Sequence, residues 1–466
     1  MRLFQRWLYR NYWVSSSAAH WFGRRFTPGG LLVFATMLIC GAIGLDTNQN
    51  LAYQAFALLG CIALVSAILS GFPAPLLQIK RKLPRYGTAG QPLQYKMVLT
   101  NPSGRQQHSV SLIEHFGDPR PTLAEFLQIP EPGEKSRNQV DRRFGYFRWR
   151  WLVARKEMAR TKIREVPSLP PRSGTEVPVD LTPFKRGKLR FTGISISVPD
   201  PFGLVRRHRE IVAEEQVLIL PRRYAVAHLD LPGKMQYQAG GVSLATAVGQ
   251  AEEFIALRDY RRGDPLRHIH WKSLGRTGKL IVKEYQDEYF VRHALLLDTF
   301  LDSPDAELFE EAVSVAASFA TVIPNQESLL DLMFVGPQAY CFTSGRNVGQ
   351  VEEMLEILAG VQPCTTSGFD SLSNLIRRHA AEISGCVCVF LRWDAERIGL
   401  INKLRAVGVP CDVYVITRNP STIRALSDFD PGIHLLEPGR IEENLNMRPG
   451  NQSGIGHNQR EGRLAA

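Results

Sequence analysis

Two long apolar runs near the start of the chain are the first feature of its hydrophobic pattern. Gly29–Leu45 is an uncharged run of 17 residues, and Leu51–Phe72 is a run of 22 residues with Gln54 as its main polar interruption. Each run is long enough to cross a bilayer as a helix. The polar linker at 46–50 has room only for a tight turn, so the pattern predicts a transmembrane helical hairpin over 29–72 whose outer ends share one side.

The charges around the two runs predict their orientation. Basic residues flank the outer ends, and the linker has none. These residues are Arg2, Arg6, Arg10, Arg24 and Arg25 before the first run, and Lys80, Arg81, Lys82 and Arg85 after the second. Cytoplasmic flanks carry the excess of Lys and Arg, so we expect a multi-pass protein of the cell inner membrane with both termini and the soluble part in the cytoplasm. The rival interpretation, a signal peptide cleaved near Gly41–Gly44, is disfavoured because the run is long and a second run follows at once.

The region 83–222 alternates between short apolar-polar runs and turn residues, which is typical of antiparallel strands. Leu93–Leu99 alternates in this way and is followed by the turn sequence Asn101–Gly104. Further strands are predicted, with a sharp turn between the last two of them: Thr175–Leu181, Leu189–Val198, Gln216–Leu220 and the turn Pro199–Gly203. The pattern therefore predicts a small β-sandwich.

One segment of this region concentrates charge. The chain carries a formal net charge of +11, and ten Lys or Arg in 136–164 oppose only Asp141 and Glu157, a local excess of 10 − 2 = +8. Within it, Phe147–Trp151 alternates aromatic and Arg residues at strand period, which would put Trp149 and Trp151 on one face and Arg148 and Arg150 on the other. The strand either covers a core or contacts lipid headgroups or a partner. Nucleic acid is not expected, since no recognised nucleic-acid module is present.

After residue 290, helical and strand patterns alternate. His293–Asp298 is an apolar run that ends in a carboxylate, as a buried parallel strand would. The predicted elements that follow are helix Ala306–Val322, strand Leu330–Val335, helix Val348–Ala359, helix Ser371–Ile383, strand Val387–Leu391, helix Ala395–Val407 and strand Cys411–Ile416. This order predicts an α/β domain with a doubly wound parallel sheet over 291–440. A basic segment at 1–28, a signature region at 223–290 and a mobile tail at 441–466 complete the predicted organisation.

The densest cluster of unusual residues lies in the signature region. Its members are Glu253, Arg258, Tyr260, Gly263, Asp264, Arg267, His270, Trp271, Lys272, Arg276, Lys279, Lys283 and Glu284. This order resembles the signature of the bacterial and archaeal family called domain of unknown function 58, and Pro201–Leu204 resembles that family's turn at the end of its β-domain. The resemblance implies no established reaction. It implies shared work with two gene neighbours of such proteins, a MoxR-type AAA+ ATPase and a transglutaminase-like membrane protein.

The charged side chains of the signature have three possible roles. They can form a fixed network of charge-assisted hydrogen bonds, present a docking face for a partner, or build an unfamiliar catalytic site. His268 and His270 are spaced to share a strand face, but no nearby Cys or His completes a zinc set.

The α/β region resembles a von Willebrand factor A domain, whose strand tips often hold magnesium through an Asp-x-Ser-x-Ser motif, a distant Thr and a distant Asp. Here Asp298 keeps the first position, Phe300 replaces the first Ser and Asp302 stands at the second, while Thr366 and Asp394 are available at the other tips. Phe300 offers no oxygen, so we expect a degenerate magnesium site and no other cofactor. Helix capping is the alternative role of the first two Asp residues.

The motifs of common enzymes are missing from the sequence. It has no Gly-x-x-x-x-Gly-Lys-Ser/Thr phosphate loop, no Gly-x-Ser-x-Gly elbow and no dinucleotide-binding Gly-x-Gly-x-x-Gly unit. The predicted function is therefore that of a noncatalytic inner-membrane scaffold or adaptor. It is expected to work with a MoxR-type AAA+ ATPase in the assembly or maturation of envelope protein complexes. The alternatives are a lipid-binding or envelope-polymer-binding protein, and an enzyme with an unrecognised site around Asp264 and His270.

Overall fold

The computed structural model describes residues 2–44, 50–226, 254–264, 266, 269–285, 291–301, 306–323, 328–345, 348–364, 368–424 and 433–446. The chain divides into two compact units, Met1–Arg222 and Arg223–Ala466. Both units combine helices with sheets, which confirms the mixed α and β class predicted from the sequence.

Three helices open the first unit: α1 over Arg2–Arg25, α2 over Pro28–Ile43 and α3 over Asn50–Ser70. Thr27 caps α2 by accepting a hydrogen bond from the backbone N–H of Gly30 at 2.9 Å, and proline at the first helical position favours this start. By length and hydropathy α3 is able to cross a membrane, while α2 is a shorter apolar helix. The segment 1–28 was predicted only as basic, and most of it is helical.

Two sheets follow in the first unit. Their strands are β1 Gln78–Lys82, β2 Tyr86–Thr88, β3 Leu93–Thr100, β4 Ser111–Phe116, β5 Ala159–Thr161, β6 Arg164–Glu165, β7 Gly174–Pro183, β8 Gly187–Pro199 and β9 Arg206–Leu220. One sheet has the order β1-β3-β7-β5 and the other β2-β9-β8-β4-β6. Alternate side chains of both sheets form a common core, in which the rings of Tyr95 and Phe191 lie 6.0 Å apart. The strands predicted here are present, and β9 begins ten residues earlier than expected.

A helical insert separates β4 from β5. It contains α4 Leu123–Gln128, a 3-10 turn at Glu134–Ser136, α5 Gln139–Phe144 and α6 Tyr146–Lys156. The strand predicted over Phe147–Trp151 is wrong, because these residues lie in α6. Gly145, with a φ of 65°, ends α5 and allows α6 to begin at the next residue. Trp149 and Leu152, three residues apart on one helical face, are then buried together.

The second unit contains a two-stranded ribbon and a six-stranded sheet. Its elements are β10 Phe254–Asp259, α7 Trp271–Thr277, β11 Ile281–Tyr285, β12 Val291–Leu297, α8 Ala306–Val322, β13 Ser328–Val335, β14 Ala339–Ser344, α9 Val348–Gly360, α10 Asp370–His379, β15 Gly385–Phe390, α11 Ala395–Ala406, β16 Cys411–Ile416, α12 Pro420–Arg424, β17 Ile433–Leu436 and α13 Ile441–Asn446. The sheet order is β14-β13-β12-β15-β16-β17. Its strands pair in parallel except for β14, which is antiparallel to β13.

Helices cover both faces of this sheet. Ala294 and Leu296 of β12 share a buried cluster with α10 and α11. On the opposite face the ring of Tyr414 lies 4.7 Å from that of Phe319 in α8. The predicted helix Ala306–Val322 and strand Cys411–Ile416 have these bounds in the structure. The boundary of the predicted mobile tail at residue 441 is wrong, since Ile441 begins α13 and is buried; residues 447–466 lie outside the described residues.

Candidate functional site

The signature residues lie on the ribbon and on α7. β10 and β11 pair antiparallel, with Arg258 opposite Val282. Two backbone hydrogen bonds of 2.9 Å hold the loop between the two strands. The N–H of Tyr260 donates to the carbonyl of Leu280, just before β11, and the N–H of His270 donates to the carbonyl of Ile281, the first residue of β11. Gly263 has a φ of 116°, which other residues rarely adopt. The ribbon, its loop and α7 are therefore one locally hydrogen-bonded element.

Asp264 is the centre of this element. Its carboxylate accepts two hydrogen bonds of 2.8 Å from the guanidinium of Arg258 and a third of 2.8 Å from the backbone N–H of Arg261. The bond from Arg258 is the main reason that the pKa of Asp264 falls from its ordinary 3.8 to about 2. A bidentate pair of this kind fixes the loop relative to the strand. The part of the predicted charge network that the structure describes is this pair.

His270 has a local structural partner. Its Nδ1 lies 2.6 Å from the Oγ of Ser273, one turn along at the start of α7. Among the described residues no three His, Cys, Asp or Glu side chains converge as a metal would require. His268, the second member of the zinc hypothesis, lies outside the described residues.

We use the name signature face for the exposed side chains of the ribbon, its loop and α7. Its apolar part consists of Trp271, 62% exposed, and Leu266, 66% exposed, with Leu257 and Leu280 also exposed. Its cationic part consists of Lys272, Arg276 and Lys279, all exposed. In the described part of the chain these three cations make no ion pair. Large apolar side chains and cationic side chains of the same element are thus open to contact.

The remaining signature residues divide by what the structure describes. Lys283 is half-buried in β11, and Glu284 has its backbone in the same strand. Glu253 and Arg267 lie outside the described residues. The structure therefore brings Arg258 and Asp264 together and places Trp271, Lys272, Arg276 and Lys279 on the surface.

A second candidate site lies at the end of β12. Asp298 follows this strand and its carboxylate is fully buried. The guanidinium of Arg397, on the first turn of α11, lies against it, with Nη2 at 3.0 Å and Nε at 3.2 Å from Oδ2. The Nη1 of the same guanidinium lies 2.7 Å from the Oδ2 of Asp394, which also caps α11. Arg397 therefore bridges two of the four side chains predicted to hold magnesium.

The surroundings of Asp298 complete its hydrogen bonding. The backbone N–H groups of Phe300 and Leu391 donate to the carboxylate at 3.0 and 3.3 Å. The guanidinium of Arg397 also lies 4.1 Å above the ring of Phe369. Burial raises the pKa of Asp298, and the charge of Arg397 opposes that rise. The pair is a buried, fully engaged ion pair.

The described side chains at this site do not fit a divalent cation. The oxygens of Asp298 and Asp394 face a guanidinium, which already supplies positive charge. Phe300 has no oxygen and packs against Phe369 at 5.8 Å, while the Thr299 hydroxyl donates to the Val335 carbonyl at 2.5 Å. Asp302 and Thr366 lie outside the described residues. Sequence reasoning missed Arg397, whose spacing of three residues from Asp394 at a helix start was the available signal.

Most of the residues predicted to contact lipid make contacts within the first unit instead. Trp149 is buried beside Tyr9 and Tyr12 of α1, and Arg148 pairs with Glu134. Trp151 is half-buried, with the guanidinium of Arg155 5.3 Å above its ring, and Arg150 is exposed. Because α6 is a helix, the predicted strand face that carries both Trp rings does not form.

Comparison with known proteins adds little to this geometry. No family model matches the chain. An uncharacterised protein of Bacillus subtilis (strain 168), YeaD, is 26% identical over 184 residues, which cover 39% of this chain and 44% of YeaD. The match thus spans less than half of that relative.

Solved structures match only in part. The CARDB domain of a Pyrococcus furiosus protein is 13% identical, with a TM-score of 0.16 over 32% of this chain and 97% of that domain. A mutant alpha-2-macroglobulin of Salmonella is 12% identical, with a TM-score of 0.17 over 34% of this chain and 8% of that protein. Similarities this low support no conclusion about fold or function.

Proposed function

We propose that this protein is a noncatalytic membrane-anchored adaptor whose signature face binds a cytoplasmic protein partner. The observation that carries the proposal is that some signature residues stabilise the loop while others are exposed. Arg258 and Asp264 hold the loop in place, while Trp271, Arg276 and Lys279 are exposed on the element that this pair stabilises. A conformation fixed in advance lowers the entropic cost of binding.

The composition of the signature face favours a protein partner. Trp and Arg are the residue types most enriched among those that dominate protein interfaces. The apolar part of the signature face offers Trp271 and Leu266, each more than half exposed, and its cations suit a partner with acidic residues. A MoxR-type AAA+ ATPase is the partner that the family resemblance implies, and a transglutaminase-like membrane protein is the second. The work served would be assembly or maturation of envelope protein complexes.

The strand-end site supports an adaptor that uses no metal. We propose that the six-stranded domain is a von Willebrand factor A-like domain in which the guanidinium of Arg397 supplies the positive charge of the metal. Its Nη2 lies 3.0 Å from Asp298 and its Nη1 2.7 Å from Asp394. Such a domain would recognise partners without an exposed metal ion.

The apolar helices support anchoring in the inner membrane. We propose that α2 and α3 form the transmembrane hairpin, with both units and both termini in the cytoplasm. Four basic residues within 80–85 and five within 2–25 flank the outer ends. The two helices contact each other, since a Cβ at Gly41 would lie 3.1 Å from the ring of Phe56.

The test is affinity purification of the tagged full-length protein from mild detergent, followed by mass spectrometry. The docking variant combines Trp271→Ala with Arg276→Glu. A matched control, Arg377→Glu with Arg378→Glu, reverses charge at two exposed positions of α10. An AAA+ ATPase recovered with wild type and the control, and lost with the docking variant, supports the proposal. An equal set of partners with all three proteins, each folded by circular dichroism, overturns it.

A further inference from the structure

An exposed stripe of large apolar side chains runs along α1. Leu3, Trp7, Val14 and Trp21 recur at spacings of four and seven residues, which place them on one helical face. Their exposed fractions are 80%, 57%, 52% and 47%. Exposed apolar side chains that share one helical face are a feature of helices that bind a partner or a membrane surface.

The same helix is strongly cationic. α1 contains five Arg and neither Asp nor Glu. Arg6 and Arg10 are exposed near the stripe, and the guanidinium of Arg25 lies 4.9 Å above the ring of Trp21. A helix with Trp and Leu on an exposed face and Arg as its only charged residue type is suited to the headgroup region of an anionic bilayer.

The opposite face of α1 packs against the rest of the first unit. Leu8 is buried, and the hydroxyls of Tyr9 and Tyr12 donate to the carbonyls of Pro121 and Phe144 at 3.1 Å each. These contacts occupy one side of the helix and leave the stripe outward. The stripe is therefore a defined surface of the folded unit.

The end of α1 also lies close to the proposed membrane entry. Only Phe26 and Thr27 separate α1 from the apolar helix α2. The backbone N–H of Thr27 donates to the carbonyl of Leu204 at 3.1 Å. Leu204 lies in the turn before β9, so this turn holds the junction between α1 and α2. Trp21 lies less than two helical turns before that point, which places it near the interface depth where Trp is enriched.

We infer that α1 is an interfacial helix whose stripe inserts into the cytoplasmic headgroup region of an anionic bilayer. The inference rests on the proposed anchoring by α2 and α3. A second copy of the chain is the less suitable occupant, because two apposed α1 faces would bring like charges such as Arg10 and Arg25 together without an acidic residue from either helix.

Tryptophan fluorescence in reconstituted vesicles tests the inference. Neither α2 nor α3 contains Trp, so quenching by brominated acyl chains must report other segments. The full chain is placed in vesicles of equal parts phosphatidylcholine and phosphatidylglycerol. We expect quenching of wild type, most of which is lost in Trp7→Phe with Trp21→Phe and retained in the matched control Trp271→Phe, an exposed Trp of the signature face.

The possible outcomes distinguish failure of membrane anchoring by α2 and α3 from failure of the interfacial role of α1. Release of wild type by alkaline carbonate would refute membrane anchoring itself. Retention without quenching, or quenching that the double Phe variant leaves unchanged, would overturn only the assignment of α1. Cross-links between α1 helices of two copies would assign the stripe to self-association and also overturn it. Weaker quenching in pure phosphatidylcholine vesicles would support the role of the arginines, and equal quenching would overturn that role.

Discussion

The guanidinium of Arg397 lies 3.0 Å from the carboxylate of Asp298, although 99 positions separate them in the chain. Both side chains are almost fully buried, with exposed fractions of 1% and 0%. Each charge therefore depends on the other for compensation, because neither reaches water. The ion pair joins the end of β12 to the start of α11.

Loss of Arg397 alone should destabilise the second unit severely. Arg397→Met leaves the Asp298 carboxylate buried without its cation, which costs about 3–5 kcal/mol. Urea unfolding followed by circular dichroism measures this loss. The matched control is Arg440→Met, because Arg440 pairs with Glu443 at the surface, with both side chains 59% exposed; its cost should be below about 1 kcal/mol. Equal losses from the two variants would contradict a buried pair.

Magnesium should not stabilise the wild-type protein. Two carboxylates that face a guanidinium have no oxygen to offer without first losing their ion pair. We expect the same melting temperature in millimolar Mg²⁺ and in a chelator. An ordinary ligand would raise stability progressively with its concentration. A saturable rise with Mg²⁺, absent in Asp298→Asn, would show that the cation displaces Arg397.

The elements predicted well from the sequence are those with a clear local period. The helix Ala306–Val322 repeats apolar residues at helical spacing, and strand Cys411–Ile416 is a short apolar run between turns; both have their predicted bounds. The spacing of Arg397 from Asp394 is a local signal, but its pairing with Asp298 could not be predicted in this way, because Asp298 is distant in sequence and becomes a neighbour only in the folded sheet. Long-range ion pairs have no local signal.

The wrong strand at Phe147–Trp151 has a different cause. Five residues of alternating aromatic and Arg character match a strand, and the same residues also match a helix when Leu152 is included. Trp149 and Leu152 lie on one helical face, and the rings of Tyr9 and Tyr12 in α1 pack on it at 5.6 and 5.9 Å from Trp149. Packing against α1 stabilises this segment as a helix. α1 lies within residues 1–28, for which the sequence predicts only positive charge.

The stability of the signature ribbon should fall at acid pH. Asp264 has a pKa lowered to about 2 from its ordinary 3.8 by the hydrogen bond from Arg258. A lowered pKa means that the ionised form favours the folded ribbon, so its contribution is complete above pH 3.8 and is lost as the pH falls towards 2. Hydrogen exchange of the peptide covering 254–264 should show greater protection in wild type than in Asp264→Asn at pH 5. Near pH 2 the two proteins should exchange alike, and a difference that persists there would contradict the assignment.

A second buried ion pair should stabilise the sandwich of the first unit. Arg81 and Glu114 form a bond of 2.8 Å with exposed fractions of 0% and 2%, and the Tyr95 hydroxyl donates to Glu114 at 2.6 Å. Arg81→Met leaves the Glu114 carboxylate buried without its cation and should lower the free energy of unfolding by about 3–5 kcal/mol. The combination with Glu114→Gln removes the charge and keeps an acceptor for Tyr95. We therefore expect the double variant to be more stable than Arg81→Met alone.

The control for this prediction lies in the same unit. Arg160 pairs with Glu157 at 2.8 Å, but its side chain is 67% exposed, so Arg160→Met should cost less than about 1 kcal/mol. The double-mutant comparison then separates two explanations of the loss. If the penalty of Arg81→Met arises from the uncompensated carboxylate, Glu114→Gln relieves it. If the penalty arises only from lost packing of the guanidinium, which lies 4.8 Å above the ring of Phe191, the second substitution adds to the loss. Additive losses would therefore refute the electrostatic account and leave packing as the role of Arg81.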